Sequence, residues 1–563
     1  ANRQGKEGED PSRKTAVVAD AAQQQLREAR LQAAIRMAAS VNVGEPLTSA
    51  DPASAGGLPS PAVSKEREFA KKRPLQDMSG KITFLYTSYL GGRGDDSIMA
   101  AAAARGRGIW IAGHTSSDLE PGSRKNGASS HRQRIATGAA SSGVVALVGS
   151  GGEMVSITYI GGSGKDVLCG VTEEGDDGVW VVGSTASDDL QPPATPGAAQ
   201  REYSGGTDVV MANIGPGGEV RHLTYLGGTG SDTACAIARG PGGHLWVGGV
   251  TQSVDLPTTP DAEQRSRGGG GSDGFLANLG PDGRLHYLTY LSGEVGSDGV
   301  TALLTHSMSG VATSPPSLWL GGFMTLPGSF AVDAMVGRVG PTGSLVTRVL
   351  RGGGRLDRVA SLSFDEFDGT LLACGETTSE DPHTITGLGR PHQSEGSAAP
   401  LPLIHSDAFV AKLLPNGTVS SVATLKGDRQ DLPRAAVLSA GGTFLWVGGL
   451  TTSTDLVELA NTGEGQQTQP PQGQGRELDG RSDGFLVKLD MRSWKGGADQ
   501  PLTPTGAKYL GGSGSEDIRA IVAAADGTMW VVGATTSPDL QVTGDAAQRR
   551  LGGGWDGFLA RVT

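Results

Sequence analysis

Cysteine is nearly absent: Cys169, Cys235 and Cys374 are the only three in 563 residues, with no C-x-x-C spacing and no histidine at ligand distance along the chain. Neither a zinc site nor a disulfide framework is expected from that number and spacing, and Cys169 and Cys235 read as small buried residues. Aromatic residues make up only 5% of the chain. Long apolar runs are missing too, none approaching the roughly 18 residues a membrane-spanning helix requires. A secretory leader with an apolar centre is likewise not seen. Nine histidines form no H-x-x-x-H pair, and neither a G-x-S-x-G elbow nor a Walker-type loop occurs. The Gly-Gly-x-Gly turns open no helix of a βαβ unit, as dinucleotide binding requires. From these absences no catalytic, cofactor-binding or metal-ligating residue is assigned, and no enzyme is expected.

What is abundant is glycine, 90 residues, with 30 prolines, a balance suited to short strands joined by many turns. The net charge of −12 argues against a body devoted to nucleic acid, which needs clustered Lys and Arg. Residues 1–81 are the exception, with 13 basic against 10 acidic side chains.

A repeat organises the rest. A tyrosine-centred turn recurs at Tyr89 to Gly92, Tyr159 to Gly162, Tyr225 to Gly228, Tyr290 to Gly293 and Tyr509 to Gly512, with degenerate copies at Val349 and Thr424. Each is followed by a W-x-x-G segment starting at Trp110, Trp180, Trp246, Trp319, Trp446 or Trp530, with Leu372 standing in once. Six of the eight tryptophans thus share one repeat position, which demands a packing role between units. A third element, D-G-F-L-A at Asp273, Asp483 and Asp556 in its closest forms, alternates apolar residues with the period of a strand. A tight turn such as Gly280 to Gly283 leads into a fourth strand. Four antiparallel strands per unit and seven units predict an all-β, seven-bladed propeller. The small residues Ala100 to Ala104 and Ala234 to Ala236 mark the first strand of a unit as innermost. The seventh unit stops at its third strand, and residues 82–90 form an extra one that can complete it, removing two sheet edges.

These motifs resemble the seven-bladed β-propeller repeat family known as SBBP. The resemblance rests on Tyr225 to Gly228, on Gly533-Ala-Thr-Thr-Ser537 and on Asp407 to Val410, and covers residues 82–563. It implies the fold far more than any function.

Residues 1–81 form an N-terminal arm. The stripe of Val18, Ala22, Leu26, Ala29, Ala33 and Met37 predicts a helix over about 13–40, and a Pro-, Ser- and Gly-rich linker follows to residue 81, with a basic cluster at Lys71 to Arg73. The helix reads as a contact for a partner chain. In the propeller, the long segments 115–143, 185–206, 376–406 and 451–482 all join second to third strands, so they share one face with the tyrosine turns. Function concentrates where loops are elaborated.

Two acidic sets recur. Asp96, Asp166, Asp232, Asp298, Asp357, Asp431 and Asp517 follow the repeat tyrosine or its equivalent by seven or eight residues and would ring the channel mouth. A ring of carboxylates suits a hard cation, but recurrence in every unit is explained as well by each residue capping its own turn. Asp208, Asp273, Asp333, Asp407, Asp483 and Asp556 open the third strands and admit the same capping role.

The expected function is a non-catalytic scaffolding subunit of a large multiprotein assembly, with other protein subunits as partners through the arm and the loop face. The alternative is a carbohydrate- or small-ligand-binding propeller, a hydrolase or lyase, using the acidic residues of the central depression. With Ala1 where an initiating methionine would stand, the chain reads as processed or trimmed. The expected location is mitochondrial, with cytoplasmic or cytoskeletal as alternatives.

Overall fold

Short β-prone runs bounded by glycine turns can satisfy their backbone only by pairing with neighbours. In the computed structural model they do so in seven four-stranded antiparallel sheets. The structure describes residues 82–117, 140–174, 178–293, 295–306, 317–326, 331–340, 345–350, 356–366, 368–378, 405–425, 427–456, 482–492, 494 and 504–563. The expected arm helix and linker, and residues 457–481 of the long 451–482 segment, lie outside them.

The described residues hold twenty-eight strands, β1 to β28. Blade two shows the plan: β6 (Asp166–Glu173), β7 (Val179–Thr185), β8 (Asp208–Ile214) and β9 (Val220–Leu226) pair in sequence order. The first strands of the seven blades are β2 (Asp96–Ala104), β6, β10 (Asp232–Arg239), β14 (Gly299–His306), β18 (Asp357–Asp365), β22 (Asp431–Leu438) and β26 (Glu516–Ala523). Each touches the next, and β2 touches β26, so these strands form the inner ring around a central channel. Closure comes from β1 (Phe84–Leu90), which pairs antiparallel with β28 (Asp556–Val562) as the outer strand of blade seven, Tyr89 opposite Phe558.

The W-x-x-G segment has a different reason at each end. Its tryptophan packs forward: Trp110 joins blade-two residues Val179 and Ile214, Trp180 joins Leu245 and Leu279 of blade three, and Trp530 joins Ile109 and Val148 of blade one. In blade five Leu372 does the same against Leu445 and Val447 of blade six. Five of the six repeat tryptophans are buried, whereas Trp246 stays partly exposed against Tyr287. Removing one such buried ring costs about 3–5 kcal/mol.

The glycine is demanded by a β-bulge. Every inner strand carries one extra residue: Met99, Cys169, Cys235, Thr301, Ala360, Arg434 and Arg519 in blades one to seven. The bulge presses a carbonyl of the inner strand against the second strand. A Cβ on Gly113, Gly183, Gly249, Gly322, Gly375, Gly449 or Gly533 would lie 1.9–2.0 Å from that oxygen. Only glycine fits there.

Because β1 covers the edge of β28, a chain beginning at residue 91 leaves that edge unpaired. It is expected to melt at a lower temperature and to aggregate, whereas a chain beginning at residue 79 keeps the native melting temperature. Thermal unfolding with light scattering checks both.

Candidate functional site

The first acidic set stands at the head of the inner strands and is buried. In blade two Asp166 accepts the Gly162 N–H at 3.0 Å, Thr185 Oγ1 at 2.5 Å and Ser187 Oγ at 3.0 Å. In blade six Asp431 takes Gly427 N–H at 2.7 Å, Thr451 at 2.5 Å and Ser453 at 3.0 Å. Asp232 binds Gly228 N–H at 2.8 Å and Ser253 at 2.7 Å, together with Thr251. Asp96 has the same partners in Gly92, Thr115 and Ser117. Asp298 accepts the Gly293 and Thr325 N–H groups, and Asp357 the Thr377 hydroxyl. These bonds are the turn-capping role, and they give the G-x-T-x-S segment its purpose. The serine carbonyl then accepts a repeat tyrosine hydroxyl from the outer strand of the same blade: Tyr225 to Ser187 at 3.1 Å, Tyr290 to Ser253 at 2.9 Å, Tyr509 to Ser453 at 3.0 Å and Tyr89 to Ser537 at 2.7 Å.

Blade seven requires a correction. Asp517 does not join this set; Glu516 does, accepting Gly512 N–H at 3.0 Å, Thr535 at 2.6 Å and Ser537 at 2.5 Å. One residue along a strand reverses the face, and Asp517 instead pairs with Arg519 and Arg434. The seven carboxylates do not converge. Among the described residues no group of three or more His, Cys, Asp or Glu is placed to hold a metal ion.

The second set caps the approach to the third strand. Asp208 accepts Ser204 N–H at 2.8 Å and Gln200 Nε2 at 3.2 Å, and Asp556 accepts Gly552 N–H and Gln548 Nε2, both at 2.8 Å. Asp273 accepts Gly268 N–H at 2.6 Å. Gln200 and Gln548 also receive the Gly227 and Gly91 N–H groups of the tyrosine turns. A third acidic set escaped the sequence reading: Asp189, Asp255, Asp455 and Asp539 accept turn N–H groups from Ser163, Thr229, Asp428 and Ser513 at 2.7–2.9 Å. The recurrent S-x-D-L spelling after the second strand is the signal that could have found it. Through these bonds the described loop residues of blades two, three, six and seven are laced to the tyrosine turns on one face. Arg93-Gly-Asp95 belongs to that lacing, since Asp95 accepts the Trp555 N–H at 3.1 Å.

The cysteines also correct the sequence reading. Cys169 and Cys235 are joined by a disulfide with Cα atoms 4.9 Å apart, and Cys235 is exposed to the channel. They are the bulge residues of adjacent inner strands, 66 residues or one repeat apart. The odd count misled because Cys374 belongs to a buried second strand, where burial pushes its thiol up to about 12. Equal register in consecutive repeats was the available clue.

No protein-family model and no curated protein matches the chain. Solved structures do. One is a protein of unknown function from Dyadobacter fermentans, at 8% identity and TM-score 0.37 over 85% of this chain and 98% of that one. Sqt1 from Chaetomium thermophilum matches at 13% identity and TM-score 0.34 over 85% and 99%. A luciferin-regenerating enzyme matches at 8% and 0.30 over 86% and 94%. Likenesses of this strength say nothing of activity or partners.

Two outcomes follow. Replacing Cys169 and Cys235 by serine lowers stability by about 2–4 kcal/mol, since the bond closes a long loop. Thiol titration of native protein labels no cysteine, Cys374 reacts only after denaturation, and reduction releases the other two. For Asp208, burial raises the pKa from 3.8 to about 6, the Ser204 and Gln200 bonds offset part of this, and Asp232 adds to it. A raised folded-state value favours the fold below the ordinary carboxylate range and loses that contribution as pH climbs through about 6. Asp208→Asn, compared with the native chain in denaturant titrations from pH 4 to 7, should therefore gain relative stability as pH rises.

Proposed function

We propose that this chain belongs to the propeller-repeat family its motifs resemble and works as a non-catalytic scaffolding subunit, binding other proteins through its loop face and N-terminal arm. The observation that carries the reading is the state of that face. The repeated carboxylates that an acid–base mechanism would need are occupied by turn N–H groups and by Thr and Ser hydroxyls. The loops beside them are held in shape by Gln, Asp and Tyr bonds, and they display Val254, Val295 and Trp555, three of the large apolar residues exposed among those described. Apolar groups held outward on a braced surface suit contact with another protein. A compartmental condition comes with the Cys169–Cys235 bond, because disulfides persist where thiols are not kept reduced. That weighs against the cytoplasmic alternative and, for a mitochondrial location, against a reducing matrix.

The test is affinity purification of the native chain, of a chain beginning at residue 79, and of Trp555→Lys with Val254→Lys. Stoichiometric partners retained by the native chain should be lost from either variant with the melting temperature unchanged. Undiminished partners in both, or steady turnover of glycoside substrates by the purified chain, would overturn the reading.

A further inference from the structure

The seven bulge residues define one level of the channel, and their chemistry is unequal. Blades one to five contribute Met99, the Cys169–Cys235 disulfide, Thr301 and Ala360, all uncharged. Blades six and seven contribute Arg434 and Arg519 on adjacent inner strands. Between them stands one carboxylate: Asp517 Oδ2 lies 2.7 Å from Arg519 Nε, and Oδ1 lies 3.6 Å from Arg434 Nε. The Asp517 side chain is 5% exposed, whereas Arg434 and Arg519 retain 32% and 30% of their surface.

Two guanidinium groups share a single negative charge, so one positive charge is left over within a chain whose net charge is −12. Arg358 provides the contrast, for it has Glu376 to itself at 2.6 Å. Arg434 Nε and Asp517 Oδ1 are buried and, 3.6 Å apart, form an ion pair without a hydrogen bond, whereas Arg519 Nε sits against Asp517 Oδ2. Arg519 Nη1 reaches Met99 Sδ at 3.3 Å, a weak acceptor. Among the described residues Arg434 pairs with Asp517 alone. The positive field reaches blade one, where His114 faces Ser97 across the strands. Burial first, and then Lys165 and Arg519, hold its imidazole below the ordinary histidine range.

A guanidinium presents a planar fork of N–H donors that matches carboxylate and phosphate oxygens, and two such forks with one internal counter-ion have donors to spare. We propose that the Arg434–Asp517–Arg519 cluster in the central channel binds a small oxyanion, a carboxylate or phosphate group carried by a low-molecular-weight ligand. The site lies on the inner strands, apart from the loop face, and is independent of the scaffolding reading. Asp517 acts in it as an internal competitor that keeps both arginines in place while the ligand is away.

The experiment is isothermal titration of the full chain with inorganic phosphate and, separately, with succinate, at ionic strength held constant with chloride. Saturable binding of either is expected, and which probe binds more tightly tells a phosphate ligand from a carboxylate one. Arg434→Gln should weaken binding at least roughly tenfold, the loss of one charge-assisted contact. Asp517→Asn should tighten it, because the competing carboxylate is gone. This second variant stands even if the first fails to fold. Absence of saturable binding of both probes to the native chain, or binding that Asp517→Asn leaves no tighter, overturns the proposal.

Discussion

The structure depends on one buried carboxylate per blade, at the head of the inner strand. A carboxylate so placed is costly unless its oxygens are filled, and in blades one, two, three, six and seven they are filled from the blade itself and from the turn leading into it. Asp166 ties the turn at Gly162 to the exit of the second strand at Thr185 and Ser187, and Ser187 passes the constraint to Tyr225 on the outer strand. The first, second and outer strands of the blade are thereby set in register at one end. In blade seven β1 supplies Tyr89 for the same purpose, so closing the ring uses the bond seen in blades two, three and six.

The bulge is the second constraint, and it decides what the channel is made of. By inserting one residue it turns that side chain toward the axis and forces glycine on the neighbouring strand. Five blades place neutral groups there, two of them linked as a disulfide. Blades six and seven place arginines, which brings cationic chemistry into a chain whose net charge is −12.

The two proposed roles divide along the same lines. On the face with the tyrosine turns the carboxylates are already occupied, and what remains free is the shape and apolar decoration of the loops. In the channel Arg434 and Arg519 share one carboxylate. Exposed apolar groups on the first surface suit a protein contact, and paired guanidinium groups in the second suit a small charged ligand.

The sequence by itself determined the blade count, the strand order and the fold class, because each rests on residues that recur at a fixed period and answer to local needs. Asp and glycine mark turns, tryptophan marks the contact with the next blade, and alternation marks the strands. The capping role of the acidic residues was legible for the same reason. Tertiary structure alone decided which of Glu516 and Asp517 fills the cap, since adjacent strand residues face opposite ways and both are acids. It alone joined Cys169 to Cys235 and set Arg434 and Arg519 around Asp517. The last two groupings lie across neighbouring blades, where proximity comes from ring closure and the bulge register; equal repeat register hints at the cysteine pair, but local spacing carries no mark of the arginine cluster.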